Sequence, residues 1–177
     1  MLVRDSLYTT AWFGLMSVVW FGWAQESPPD RLRTPLIVGS VIGLVVTIAF
    51  GVLTALNWSE PTALEGRYTM FGIVVGAEFA LAGAGAVALQ LSGHQRWVAW
   101  WVALIVAVHL VSLAWIFHGQ SVAFLGIAQT VALIAVALAA RGDTYPTSRW
   151  AGPVMGVLFL VYALGNGAFL VRELASS

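Results

Sequence analysis

Cysteine and lysine are both absent from these 177 residues, and charge of either sign is scarce, with eight arginines set against eight acidic residues. Without cysteine there are no disulfides, thiolate metal sites, thiol redox centres or covalent haem attachments. Without lysine, and with zero net charge, there is no basic face for nucleic acid, so no polynucleotide partner is expected. Charged residues make up 9% of the chain, against roughly a quarter in soluble domains, too few to build a water-facing surface. Long polar connectors are missing too, which leaves no room for a soluble domain beside the apolar segments.

What is present is apolar: 60% of the residues are hydrophobic. They come in runs of about 20, the length that crosses a hydrocarbon core at 1.5 Å per helical residue. Strand-like alternation is absent, which excludes a transmembrane β-barrel. The runs predict spans over residues 8–24, 35–58, 69–91, 97–117, 121–140 and 151–173. The expected fold class is therefore all-α, a polytopic transmembrane bundle of six helices forming one integral membrane domain over residues 1–177.

Turn residues punctuate the spans, as in Ser27-Pro28-Pro29-Asp30, Ser59-Glu60-Pro61-Thr62 and Gly142-Asp143-Thr144-Tyr145-Pro146. Pro35 and Pro153 are expected in the first turns of their helices, where a missing N–H costs little. Gly22-Trp23-Ala24 resembles a small-x-small cleavage site. Trp12, Trp20 and Trp23 nevertheless suit an interface-anchored span, and the first segment is read as one. With six spans, both termini share a side with Arg4, Arg67 and Arg172. Arg31, Arg33, Arg96, Arg141 and Arg149 lie on the other side, which the positive-inside rule assigns to the cytoplasm, so both termini are expected outside. All nine tryptophans fall at or near span ends, as an aromatic belt requires. Arginine without lysine, with an alanine, valine and glycine bias, fits a GC-rich bacterial genome. The expected location is a bacterial inner membrane.

Helices approach closely where side chains are small. Gly39 and Gly43, Gly72 and Gly76, and Gly152 and Gly156 form three such pairs, and the third span continues with Ala80, Gly83 and Gly85. The third span is accordingly expected at the centre of the bundle. Six short helices enclose little volume, which makes a homodimer a reasonable expectation. The two best alignments of spans 1–3 on spans 4–6 disagree in offset, so no internal repeat is assigned.

Ionisable groups at mid-membrane depth are the informative exceptions, since a central charge costs roughly 2.5–3.5 kcal/mol on insertion scales and tends to face a partner or water. Glu78 lies near the middle of the third span and His109 near the middle of the fourth. Both are about 15 residues from the turn at Gly93-His94, so antiparallel neighbours would bring them to equal depth. Ser112, one turn beyond His109, is placed to orient the ring. Gln129 in the fifth span, and Tyr162 and Asn166 in the sixth, can add polar lining. Such an acid–imidazole pair can hold or relay one proton near neutral pH. It can equally be a structural hydrogen bond that fixes helix packing, and a third outcome is no contact at all.

Other chemistries find no support in the pattern. His94 and His118 sit near span ends on opposite sides, so no mid-membrane haem-ligand pair is available, and neither H-x-x-H nor H-E-x-x-H occurs. Nucleophile-elbow, phosphate-loop and dinucleotide fingerprints are missing as well. No cofactor and no metal are expected, and nothing marks an enzyme.

The run His109-Leu110-Val111-Ser112-Leu113-Ala114-Trp115-Ile116-Phe117 resembles a degenerate H-F-L-P-L-A-x-x-F pattern of small six-helix bacterial membrane proteins of unknown function, with Ser112 where that family has proline. That family also tends to carry a glutamate in the preceding helix, here Glu78. The resemblance covers the third and fourth spans and implies a fold, not an activity. The leading expectation is a small integral membrane protein that binds or transports a small solute or proton through a polar pocket around Glu78 and His109. The alternatives are a non-catalytic accessory or scaffold subunit and an intramembrane enzyme acting on a lipid-like substrate. The bilayer itself is the one partner expected under every reading.

Overall fold

The computed structural model describes residues 1–117 and 119–176, apart from the side chains of Leu174 and Ser176, so His118 lies outside the described residues. Among these residues the protein is helical throughout, without a strand. Six long helices follow in order: α1 (Val3–Ala24), α2 (Asp30–Leu56), α3 (Tyr68–Leu91), α4 (Val98–Ile116), α5 (Gln120–Ala139) and α6 (Ser148–Ser176). Single 3-10 turns, Gln95–Trp97 and Ala140–Gly142, lead into α4 and out of α5. Five helices, α2 to α6, are long and apolar enough to cross a membrane. They are helical because the backbone in hydrocarbon has no water to bond and must satisfy itself. The fold is the expected all-α, polytopic transmembrane bundle of six helices.

The first helix is the exception in composition, with Asp5, Ser6, Thr9, Thr10 and Ser17 all buried along it. Its hydroxyls are satisfied locally, Thr10 donating to the Ser6 carbonyl at 2.8 Å and Ser17 to the Gly14 carbonyl at 2.6 Å. α1 packs between α2 and α6, and Leu7, Thr10, Ser17 and Ala24 are closed to solvent and lipid alike. By contrast α3 has no buried residue and rests on α4. The expectation that α3 forms the centre is overturned: α3 lies at the edge, while α1 is buried along much of its length and α6 meets α1, α2, α4 and α5. Small residues permit close packing without compelling it, because lipid tails receive an apolar helix as readily as another helix does. Polar groups do compel burial beside protein.

Two of the three glycine pairs are used in this packing, both against α1. A side chain at Gly43 would strike Ser17 and come within 2.9 Å of the Gly14 carbonyl oxygen, and Gly39 gives way to the ring of Phe21. On α6, Gly152 lies against Ala24 and the Trp20 carbonyl, and Gly156 against Phe21. Gly72 and Gly76 on α3 meet nothing within 4 Å. Trp20 is likewise not part of the lipid-facing belt: it is 3% exposed and belongs to the core with Phe13, Met155 and Phe159.

Pro35 and Pro153 also sit differently from expectation. α2 begins at Asp30 and α6 at Ser148, so each proline is the sixth residue of its helix, in the second turn. The helices run past their apolar stretches into the connecting segments, and the Arg31 and Arg149 carbonyls forgo the N–H that a non-proline residue would offer.

Side-chain bonds close the two ends of the bundle. At the end holding the N-terminus, Asp5 accepts from the Thr62 hydroxyl at 2.6 Å and the Ala63 N–H at 2.8 Å, while Arg4 donates to the carbonyls of Trp58 and Glu60. At the other end, Thr147 donates from both backbone and hydroxyl to the Arg96 carbonyl, Arg96 donates to the Ala140 carbonyl, and Ser148 donates to Glu26 at 2.6 Å.

Candidate functional site

The α3–α4 hairpin is set by one left-handed residue. Gly93 has φ +75°, and the His94 N–H behind it reaches the Leu89 carbonyl at 2.7 Å, the cross-turn bond that stops a helix when glycine follows its cap. The chain reverses within a few residues, and α4 returns antiparallel along α3. Three contacts hold the seam besides the acid–imidazole pair. The absent side chain of Gly85 lets the Trp101 indole lie against α3, Trp101 donates to the Leu81 carbonyl at 3.1 Å, and Phe71 meets Phe117 edge-on at 6.0 Å.

Between these contacts, near the middle of both helices, the Glu78 carboxyl and the His109 Nε2 lie 3.2 Å apart. Their side chains are 17% and 8% exposed. Turn counting placed the two residues at equal depth, and the rotational phases of α3 and α4 also bring them face to face. One proton shared at this distance is consistent with either of two forms, a neutral acid donating to a neutral imidazole or a carboxylate accepting from an imidazolium. In either form the contact joins the one acid and the one imidazole found in the middle of the long helices among the described residues.

The other expected residues do not join this pair. Ser112 is exposed, and no bond from it to the His109 ring exists among the described residues. Tyr162 shares a 2.8 Å hydrogen bond with the Ser121 hydroxyl and sets its ring edge-on to Phe13. Asn166 donates to the Thr10 hydroxyl at 2.7 Å and to the Ser6 carbonyl at 3.3 Å. These groups belong to a separate polar region formed by α1, α5 and α6, where a cavity of about 320 Å³ opens beside Ser6, Ser121 and Asn166. Gln129 on α5 is fully buried, and neither atom of its amide has a hydrogen-bond partner among the described residues.

Thr10, Ser6, Ser121 and Asp5 were not singled out from sequence. A signal for three of them was there: Asp5, Ser6, Thr9 and Thr10 recur at helical spacing, which marks one face of a helix as polar. Among the described residues no group of three metal-ligating side chains assembles.

Comparison with known proteins finds no relative: no family model matches the chain, and no curated protein or solved structure resembles it significantly. The functional reading therefore rests on this geometry.

Proposed function

We propose that this multi-pass membrane protein binds and moves a proton at the Glu78–His109 pair, together with a small solute. The observation that carries the reading is the 3.2 Å contact between a carboxyl and an imidazole at mid-membrane depth. Ionisable side chains there are costly and recur in ion pathways and proton relays. A carboxyl and an imidazole in contact can hold one proton between them and pass it on. A polar cavity beside Ser6, Ser121 and Asn166, apart from the pair, supports the solute half of the reading. Carrying over the resemblance of His109–Phe117 to small bacterial membrane proteins, and the arginine bias of the loops, we assign the protein to a bacterial inner membrane with both termini outside.

The test is proton flux into liposomes containing the purified protein, followed with an enclosed pH-sensitive dye. Glu78→Gln keeps the size and hydrogen-bonding capacity of the side chain and removes its titration. It is expected to abolish flux while leaving the melting temperature in detergent near that of the wild type. Flux that persists in Glu78→Gln contradicts the proposal.

A second reading is favoured by one specific observation: α3 has no buried residue and is tied to the bundle through α4. Under that reading the pair is a structural tie in an accessory or scaffold subunit, worth about 1 kcal/mol as interhelical polar contacts are. It predicts that Glu78→Gln lowers the melting temperature and that neither protein moves protons.

A further inference from the structure

A groove of about 280 Å³ lies on the outer side of α1 and α2, far from the α3–α4 seam, walled by Tyr8, Trp12 and Leu15 on α1 and Thr47, Gly51 and Ala55 on α2. Its lining is apolar in effect. The Thr47 hydroxyl is spent on the Gly43 carbonyl at 2.8 Å and the Thr54 hydroxyl on the Phe50 carbonyl at 2.7 Å, so neither seeks a polar ligand. The gap exists because α2 has small residues there, and a side chain at Gly51 would meet nothing within 4 Å.

Length and charge identify what fits. Thr47 on α2 and Trp58 just beyond its end are 11 positions apart, roughly 16 Å at 1.5 Å per residue, against about 15 Å for the hydrocarbon of one leaflet. At its outer end Arg4 stacks on the Trp58 ring, 4.7 Å from the centroid. Its Nη1 donates to the Trp58 and Glu60 carbonyls, which leaves Nη2 and Nε without a hydrogen-bond partner among the described residues. The neighbouring Asp5 carboxylate is turned inward and occupied by Thr62 and Ala63. Two acids of the same connection, Glu60 and Glu65, are left exposed, and neither bonds the free Arg4 nitrogens among the described residues. A partly exposed guanidinium at headgroup level, above an apolar trough one leaflet deep, matches a lipid phosphate above its acyl chain.

We infer that the α1–α2 groove is a binding site for one anionic phospholipid, with an acyl chain along Gly51 and the phosphate on Arg4. The site needs nothing from the Glu78–His109 pair and stands if that pair proves structural.

Native mass spectrometry of the intact protein, incubated with phosphatidylglycerol or phosphatidylcholine of equal chain length, tests it. The wild type is expected to retain one phosphatidylglycerol about fivefold more strongly than phosphatidylcholine, as one basic residue near a membrane surface contributes. Arg4→Gln is expected to erase that preference. Gly51→Phe fills the trough and is expected to lose the bound lipid of both kinds, with Ala55→Phe as a second filling variant should the first fail to fold. Equal retention of both lipids by the wild type, or undiminished retention by a folded filling variant, overturns the site and makes the bound lipid a general solvent layer.

Discussion

Two helices of similar length, α1 and α3, contrast in composition and in place. α1 has Arg4, Asp5 and a series of hydroxyls and is buried along much of its length between α2 and α6, whereas α3 is rich in glycine and alanine and lies at the edge. In water the order would be reversed, because the more apolar helix would be driven inward. In lipid the apolar helix has no such drive, and the helix that must be sheltered is the one with polar groups to satisfy. α3 then has one polar obligation of its own, Glu78, and meets it at its interface with α4 through His109.

That contrast can be broken by substitution, starting with the glycines. Gly43→Leu drives a side chain into Ser17 and the Gly14 carbonyl. The expected loss is about 3 kcal/mol or failure to fold, since overpacking a close backbone contact costs 1–3 kcal/mol and sometimes more. Thermal melting in detergent reads it directly. Asp5→Ala removes the acceptor of two bonds that fasten α1 to the α2–α3 connection. A loss of about 2 kcal/mol is expected, in the range for bonds to a charged group. Proteolysis within residues 58–66 should become faster in the same variant.

Thr10→Val tests whether buried hydroxyls hold the centre. The Asn166 amide loses its 2.7 Å partner and keeps the longer bond to the Ser6 carbonyl, for an expected loss of about 1 kcal/mol. A chemical-denaturation midpoint unchanged from the wild type would remove α1's hydroxyls from the account. The smallest effect belongs to α3. Gly76→Leu faces open space and is expected to shift stability by about 0.5 kcal/mol or less, despite adding the same side chain as Gly43→Leu.

The number of helices was legible because five apolar runs are each about one bilayer long and turn residues set off the less apolar first run. The depth of Glu78 and His109 was legible too, because both are counted from the same short turn. Rotation about each helix axis was not. Helices apolar around their whole circumference have no amphipathic stripe to show which face turns inward, so the pair Gly72 and Gly76 of α3 looked like the pair Gly39 and Gly43 of α2, although only the α2 pair packs. The partners of Asn166 were hidden for a related reason: Thr10 and Ser6 lie 156 and 160 residues away along the chain, and nothing local links them. Gln129 reads in sequence as one more polar lining group. Its burial without a partner among the described residues is a property of the packing around it.

The proposed function requires an exchangeable proton on the Glu78–His109 pair. Infrared difference spectroscopy of the protein in bilayers, recorded as pH is stepped across the physiological range, measures it most directly. A carboxyl stretching band is expected that changes with pH, disappears in Glu78→Gln and moves in His109→Gln. A spectrum that is the same in Glu78→Gln as in the wild type at every pH would contradict it.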